Sequence, residues 1–134
     1  MIKVVACILR KKDKLMIASR PSNKSFGGFY EFPGGKVKKN EFLTEALKRE
    51  LMEELSVIIN VNRLIFLCSY QITRGRKKID LNFFSTNNWI GNVKALEKQE
   101  VKWIRLCEVK NFKMLTSNKK IIDFLNSFLI ASKN

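Results

Sequence analysis

The segment from Gly34 to Val57 limits what this chain can fold into more than any other stretch. Leu43, Leu47, Leu51 and Leu55 recur every four residues within it. That spacing predicts an amphipathic helix over 42–55 with a single apolar stripe, started by Asn40 or Glu41. Such a stripe needs an apolar surface to lie on, so the rest of the chain must supply one. The segment is also where acid collects. The chain has 12 acidic residues against 26 basic ones, and Glu41, Glu45, Glu50, Glu53 and Glu54 all fall here.

The surface for the helix is a sheet. Residues 2–9 read as a buried strand, Lys11–Lys14 as a turn, and residues 15–19 as the returning strand of a hairpin. Residues 20–29 read as a loop and 29–32 as a short extended piece. Pro33 turns Phe32 away from helix, and Gly34-Gly35 predict a sharp turn. After the helix, 58–72 is strand-like with interruptions at Asn60, Asn62 and Arg63. Thr73–Lys78 is a hairpin loop tipped by Gly75, 79–84 the returning strand, 87–92 irregular, and 101–106 a further strand. Thr116 or Ser117 is placed to cap a last helix from Asn118 to about residue 130. Its apolar face comprises Ile121, Ile122, Leu125, Phe128 and Leu129. The sum is one α+β domain over residues 1–134, a mixed sheet with helices packed on it.

At about 100° per residue, Glu50, Glu53 and Glu54 share one helix face. With Glu50 at zero, Glu54 lies near +40° and Glu53 near −60°, while Leu43, Leu47 and Leu51 lie between about +20° and +100°. The three carboxylates therefore border the buried stripe, and Glu45, Arg49 and Met52 are expected to face water. Carboxylates crowded at the edge of a core repel one another and lose hydration, which a divalent cation relieves. The preceding run Glu31-Phe32-Pro33-Gly34-Gly35-Lys36 lets backbone approach a ligand closely. A loop carbonyl there can complete an oxygen shell, and Lys36 can meet a phosphate.

Composition narrows the chemistry. There is no histidine, which excludes Ser-His-Asp and Cys-His catalysis and leaves oxygen ligands for a hard cation, Mg2+ or Mn2+. Cys7, Cys68 and Cys107 are odd in number, widely spaced and set among apolar neighbours, so buried free thiols are expected. No apolar run approaches the ~20 residues that span a bilayer, and residues 1–10 lack a signal-peptide layout; a cytoplasmic protein without membrane partners is expected. The net charge of +14 has two readings, attraction to phosphates or a lysine- and asparagine-rich composition without function.

These residues resemble the Nudix box, G-x5-E-x7-R-E-U-x-E-E-x-G-U with U aliphatic. Gly35, Glu41, Arg49, Glu50, Leu51, Glu53, Glu54 and Val57 fall at its spacings, and Ser56 stands where the pattern has glycine. Serine at a left-handed helix terminus costs some stability but leaves the carboxylates alone. The resemblance implies an α/β/α sandwich on a mixed sheet and hydrolysis of a nucleoside diphosphate linked to another group. It implies that Glu50, Glu53, Glu54 and the Gly34 carbonyl bind Mg2+, with Glu50 alternatively orienting the attacking water. It also implies that Arg49 holds a box carboxylate and that a distant acid assists. Glu97 is favoured over Glu100 for that acid.

The likeness extends over nearly the whole chain to the MutT type, the 8-oxo-dGTP diphosphatases. By that resemblance Arg20 and Asn118 contact the purine of a nucleoside triphosphate, and residues 31–36, including Glu31, Phe32, Pro33, Gly34 and Lys36, line the substrate site. Asn118 is otherwise a helix cap, Arg20 a solvated loop residue and Phe32 core. A CTP-type or broad (deoxy)nucleotide pyrophosphatase shares this architecture. A different class, a non-catalytic nucleic-acid-binding module, would use Arg74, Arg76, Lys77 and Lys78; an intact set of carboxylates argues against it. A monomer that needs no nucleic acid is expected.

Overall fold

A computed structural model describes the backbone of residues 1–133 and the side chains of residues 1–128. Strand β1 (Ile2–Lys11) is the centre of the molecule. Val5 to Leu9 are all buried, as expected of an apolar run flanked on both sides and covered on both faces. Alternation sends Val5, Cys7 and Leu9 into one core and Ala6 and Ile8 into the other.

The predicted β1–β2 hairpin is real but brief. Strand β2 (Lys14–Ser19) pairs with β1 only at Arg10↔Leu15 and Lys11↔Lys14, across a turn in which Lys12 has φ 58°. It then leaves to pair with β3 (Tyr30–Glu31) on one side and with β9 (Val101–Ile104) on the other. The vacated edge of β1 is taken by β4 (Gly34–Lys36), antiparallel. Gly34 and Gly35 are therefore in a strand, not the sharp turn expected. A Cβ on Gly34 would collide with the Val5 carbonyl and lie 2.7 Å from the Ala6 Cα. Glycine serves close backbone approach here, a need that in sequence looks the same as a turn.

Helix α1 (Leu43–Leu55) lies on one face of the sheet, with Leu47, Leu51 and Leu55 completely buried against Val5, Cys7, Leu9 and Phe84. Burial of each leucine contributes about 1.5–3 kcal/mol. The helix starts one residue later than expected. Phe42 is the cap, its amide donating to the Glu45 carboxylate at 3.1 Å, while Glu41 is held by Arg49. After α1 come β5 (Ile58–Ile59) and a 3₁₀ turn at Val61–Arg63. These and β6 (Ile65–Arg74) divide the strand-like stretch 58–72 at its polar residues. Strand β7 (Lys77–Thr86) returns antiparallel to β6 and parallel to β1. The segment expected to be irregular contains β8 (Trp89–Ile90), paired with β5.

Helix α2 (Lys119–Lys133) covers the opposite face through Ile121, which packs with Ile8, Ile17 and Phe83. The layers are thus helix, mixed sheet, helix. Thr116 and Ser117 do not cap α2; they belong to a 3₁₀ turn at Thr116–Asn118. On the expected apolar face Ile121 is buried, Ile122 and Leu125 are half-buried and Phe128 is exposed; Leu129 lies outside the described side chains. Of the thiols only Cys7 is buried, and burial pushes it well above the ordinary thiol range. Cys68 is half-buried and Cys107 exposed, because Cys107 sits in a surface 3₁₀ turn (Leu106–Asn111) and not in a strand.

Ser56 closes α1 in the left-handed conformation, φ 60°, its N–H donating to the Met52 carbonyl at 3.1 Å. A side chain in that region is strained by roughly 1 kcal/mol. Ser56→Gly is expected to stabilise the protein by up to about 1 kcal/mol in urea unfolding, with turnover unchanged. No gain would mean that the surroundings already relieve the strain.

Candidate active site

A cleft of about 560 Å³ opens where β1, β3, β4 and α1 meet. Its lining includes Arg20, Glu31, Phe32, Pro33, Gly34, Lys36, Glu50, Glu54, Glu97 and Asn118. Arg49 and Glu53, also expected at the site, do not line it.

The glycine pair sets the floor. Gly34 lets β4 lie against β1, and Gly35 leaves room for a carboxylate. A Cβ on Gly35 would lie 2.6 Å from Glu50 Oε1. Glu50 is held from behind by Arg49, whose Nη1 donates to it at 2.8 Å. Arg49 also grips Glu41 with two bonds of 2.9 Å and the Lys36 carbonyl with one of 3.0 Å. Planar, five-donor guanidinium suits this task and lysine would not. The Arg49 hydrogen bonds pull the Glu41 carboxyl down to about 2. Arg49 was expected to face water, yet its side chain is only 21% exposed. Its length lets it fold back over the carboxylates, which a wheel of Cα positions does not show. Glu53 projects outward, 54% exposed and 3.5 Å from Arg49.

Glu54 is the electrostatically stressed member. Burial first, then the charge of Glu50, a hydrogen bond with Glu50, and the charges of Glu97 and Glu31 push its carboxyl up to about 9. Folding therefore keeps a proton on Glu54 that the unfolded chain releases near the ordinary carboxyl value. The stability contributed by this proton is fully present below about 4.5 and is lost as pH rises through about 9. Without divalent cations the thermal midpoint should fall across that range. Glu54→Gln should flatten the fall, and an unchanged slope in that variant would assign it elsewhere.

The donor set fits a hard divalent cation: carboxylates and a backbone carbonyl, with no histidine, and an acid that burial and neighbouring carboxylates hold in its neutral form. Among the described residues, however, no three acidic, histidine or cysteine side chains converge closely enough to hold a metal as they stand. Glu50 is engaged by Arg49, and Glu53 is turned away from the cleft.

The loop before β9 presents Glu97 to the cleft. Glu100 points elsewhere, accepting from Tyr30 Oη at 2.7 Å. Gln99 fixes this loop to α1, its Nε2 donating to the Glu54 carbonyl at 3.1 Å and its Oε1 accepting from the Glu97 N–H at 2.8 Å. Sequence reading missed Gln99, whose only signal is its place between two candidate acids. It also missed Lys24, 3.9 Å from Glu97 across the mouth. Arg20 pairs with Glu31 at 2.9 Å and is only 26% exposed, so it is not a solvated loop residue. Asn118 is buried, and its Oδ1 accepts from the Phe32 N–H at 3.1 Å. Phe32 is core and cleft floor at once. Of the basic hairpin residues, Arg74 and Lys77 line the cleft.

The NUDIX domain family model matches residues 1–125. An 8-oxo-dGTP diphosphatase of Buchnera aphidicola subsp. Schizaphis graminum (strain Sg) is 38% identical over 126 residues, covering 94% of each chain. A CTP pyrophosphohydrolase of Escherichia coli (strain K12) is 35% identical over 103 residues, 77% of this chain and 75% of its own. The solution structure of the E. coli ORF135 protein superposes with a TM-score of 0.87 at 28% identity, covering 98% of this chain and 92% of that one. The sandwich and its acid-lined, base-rimmed cleft define a pyrophosphohydrolase. The chain belongs to the Nudix family.

Proposed function

We propose that this protein hydrolyses 8-oxo-dGTP, or related oxidised purine nucleoside triphosphates, to the monophosphate and pyrophosphate, clearing them from the nucleotide pool before DNA synthesis. One observation carries the reading: a single cleft holds both the acidic group Glu50, Glu54 and Glu97 and the polar pair Arg20 and Asn118. The Asn118 Oδ1 is engaged by Phe32, and its amide nitrogen, with one bond to Ser117 Oγ at 3.3 Å, has a second N–H left to donate to a purine edge. The name of the Buchnera relative supports the same substrate.

In this reading Glu50, Glu53, Glu54, Glu97 and the Gly34 carbonyl hold Mg2+ or Mn2+. When bound, the cation supplies charge neutralisation for the phosphate chain and a more acidic water. Arg49 keeps the Glu50 carboxylate aimed over Gly35. Lys36, Arg74 and Lys77 offset the charge of the triphosphate, and Phe32 supports the base. Residues 1–134 act as one domain, a cytoplasmic monomer that needs no nucleic acid for turnover. No helix among the described residues is long and apolar enough to cross a membrane.

A nucleotide panel with Mg2+ tests the reading. The expected kcat/KM for 8-oxo-dGTP exceeds that for dGTP by about 10²-fold or more, with pyrophosphate as product. The likeness to the CTP pyrophosphohydrolase favours a second reading. Preference for CTP over 8-oxo-dGTP would establish it and remove the purine assignment. No turnover of any nucleotide, with nucleic acid retained in a gel shift, would favour a binding module.

A further inference from the structure

A second groove, about 550 Å³, lies at the other end of β1. It is lined by Arg10, Lys11 and Lys12 and by Trp89, Asn92 and Trp103, among others, and no acidic residue lines it. The catalytic cleft is reached by Val5 and Ala6. Four residue steps along the strand lead from Ala6 to Arg10, so the two openings are about 13 Å apart along β1.

The groove combines fixed aromatic surface with free positive charge. The two indoles are stacked, 6.1 Å between centroids and 17° between planes, and both rest on the core beneath α1. Arg10 is half-buried, and its Nε donates to Ser85 Oγ at 2.7 Å, which orients the guanidinium. Lys11 and Lys12 are exposed. Among the described residues none of the three cations has a carboxylate partner; neighbouring Asp13 is taken by Arg105 at 3.0 Å. In the catalytic cleft Arg20 and Lys24 are each paired with an acid, while Lys36, Arg74 and Lys77 are not, among the described residues. Arg10 alternates onto the Ala6 and Ile8 side of β1, where Ser85 holds it, so Lys11 and Lys12 are the cations left for the indole side. The aromatic surface of Trp89 and Trp103 beside them suits unstacked bases, which a duplex keeps inside.

The geometry points to a second binding site, distinct from the catalytic cleft, for single-stranded nucleic acid, with phosphates on Lys11 and Lys12 and a base against the Trp89–Trp103 pair. It does not rest on the proposed nucleotide substrate.

The chain has two tryptophans, and both are in this groove. Intrinsic fluorescence therefore reports on it directly. The test titrates the protein with an eight-residue oligothymidylate in chelator, so that turnover is off, over a range of salt. Quenching is expected, with log affinity falling against log salt at a slope of about −1.4. Lys11→Gln/Lys12→Gln should weaken binding at least tenfold at low salt and shift the slope by about +1.4, with nucleotide turnover in Mg2+ unchanged. The proposal is overturned if quenching is absent at low salt or is the same in the double variant. It is equally overturned if thymidine monophosphate or a duplex binds as tightly as the single strand.

Discussion

Glu53→Gln should lower kcat about 10³-fold and leave the thermal midpoint nearly unchanged. The two halves of this result have separate causes. Glu53 is the most exposed of the three helix carboxylates proposed to hold the cation, and its ion pair with Arg49 is long, at 3.5 Å. An exposed pair of that kind contributes little to stability. Gln keeps the shape and removes the charge. Loss of one anionic ligand weakens the field that neutralises the phosphate chain, and 10³-fold corresponds to about 4 kcal/mol of transition-state stabilisation. Steady-state kinetics at saturating Mg2+ and a melting curve in chelator decide it. A near-normal rate would remove Glu53 from the metal site. A collapsed midpoint would make its role structural.

The glycine pair gives the second large effect, and its two members should fail differently. Gly34→Ala places a methyl group against the Val5 carbonyl, backbone against backbone, in the strand pair at the centre of the sheet. Neither strand can move without breaking its ladder, so a loss of about 3 kcal/mol or more is expected. Gly35→Ala meets the Glu50 carboxylate, the far end of a flexible side chain. That side chain can swing aside, so the fold should survive. Glu50 would then leave its place beside Arg49, and kcat should fall about 10²-fold. Urea unfolding and kinetics on both variants separate the two. Equal loss of stability in both would show that Gly35, too, is needed for strand packing.

These contrasts show what the chain reveals before it folds. Helix α1 was legible because its leucines repeat at the helical period, and β1 because its apolar run is unbroken. The acid spacing that marks the Nudix box was legible for the same reason: all of it lies within one local element. What depends on distant partners was not. Gly34-Gly35 signalled a turn because nothing local says that Val5 will lie against it. Arg49 was assigned to water because its reach back over Glu41 and Glu50 depends on side-chain length. Cys107 looked buried among apolar neighbours, yet those neighbours turn inward without it. Glu97 was preferred over Glu100 by likeness alone; its facing the cleft reflects Gln99, which anchors the loop to the end of α1.

Strand β6 is the outermost strand of the large sheet, ten residues long, with Ile65 and Phe66 about half exposed. A long outer strand with apolar side chains invites a neighbouring molecule to add its own strand. Two features blunt that invitation. The irregularity between Phe66 and Cys68 breaks the regular line of the strand, and Arg74, Arg76, Lys77 and Lys78 crowd its far end with positive charge. Part of the chain's basic excess thus places like charge at this edge, a repulsion between copies that salt weakens. Concentrated salt, by screening it, would move this protein toward self-association.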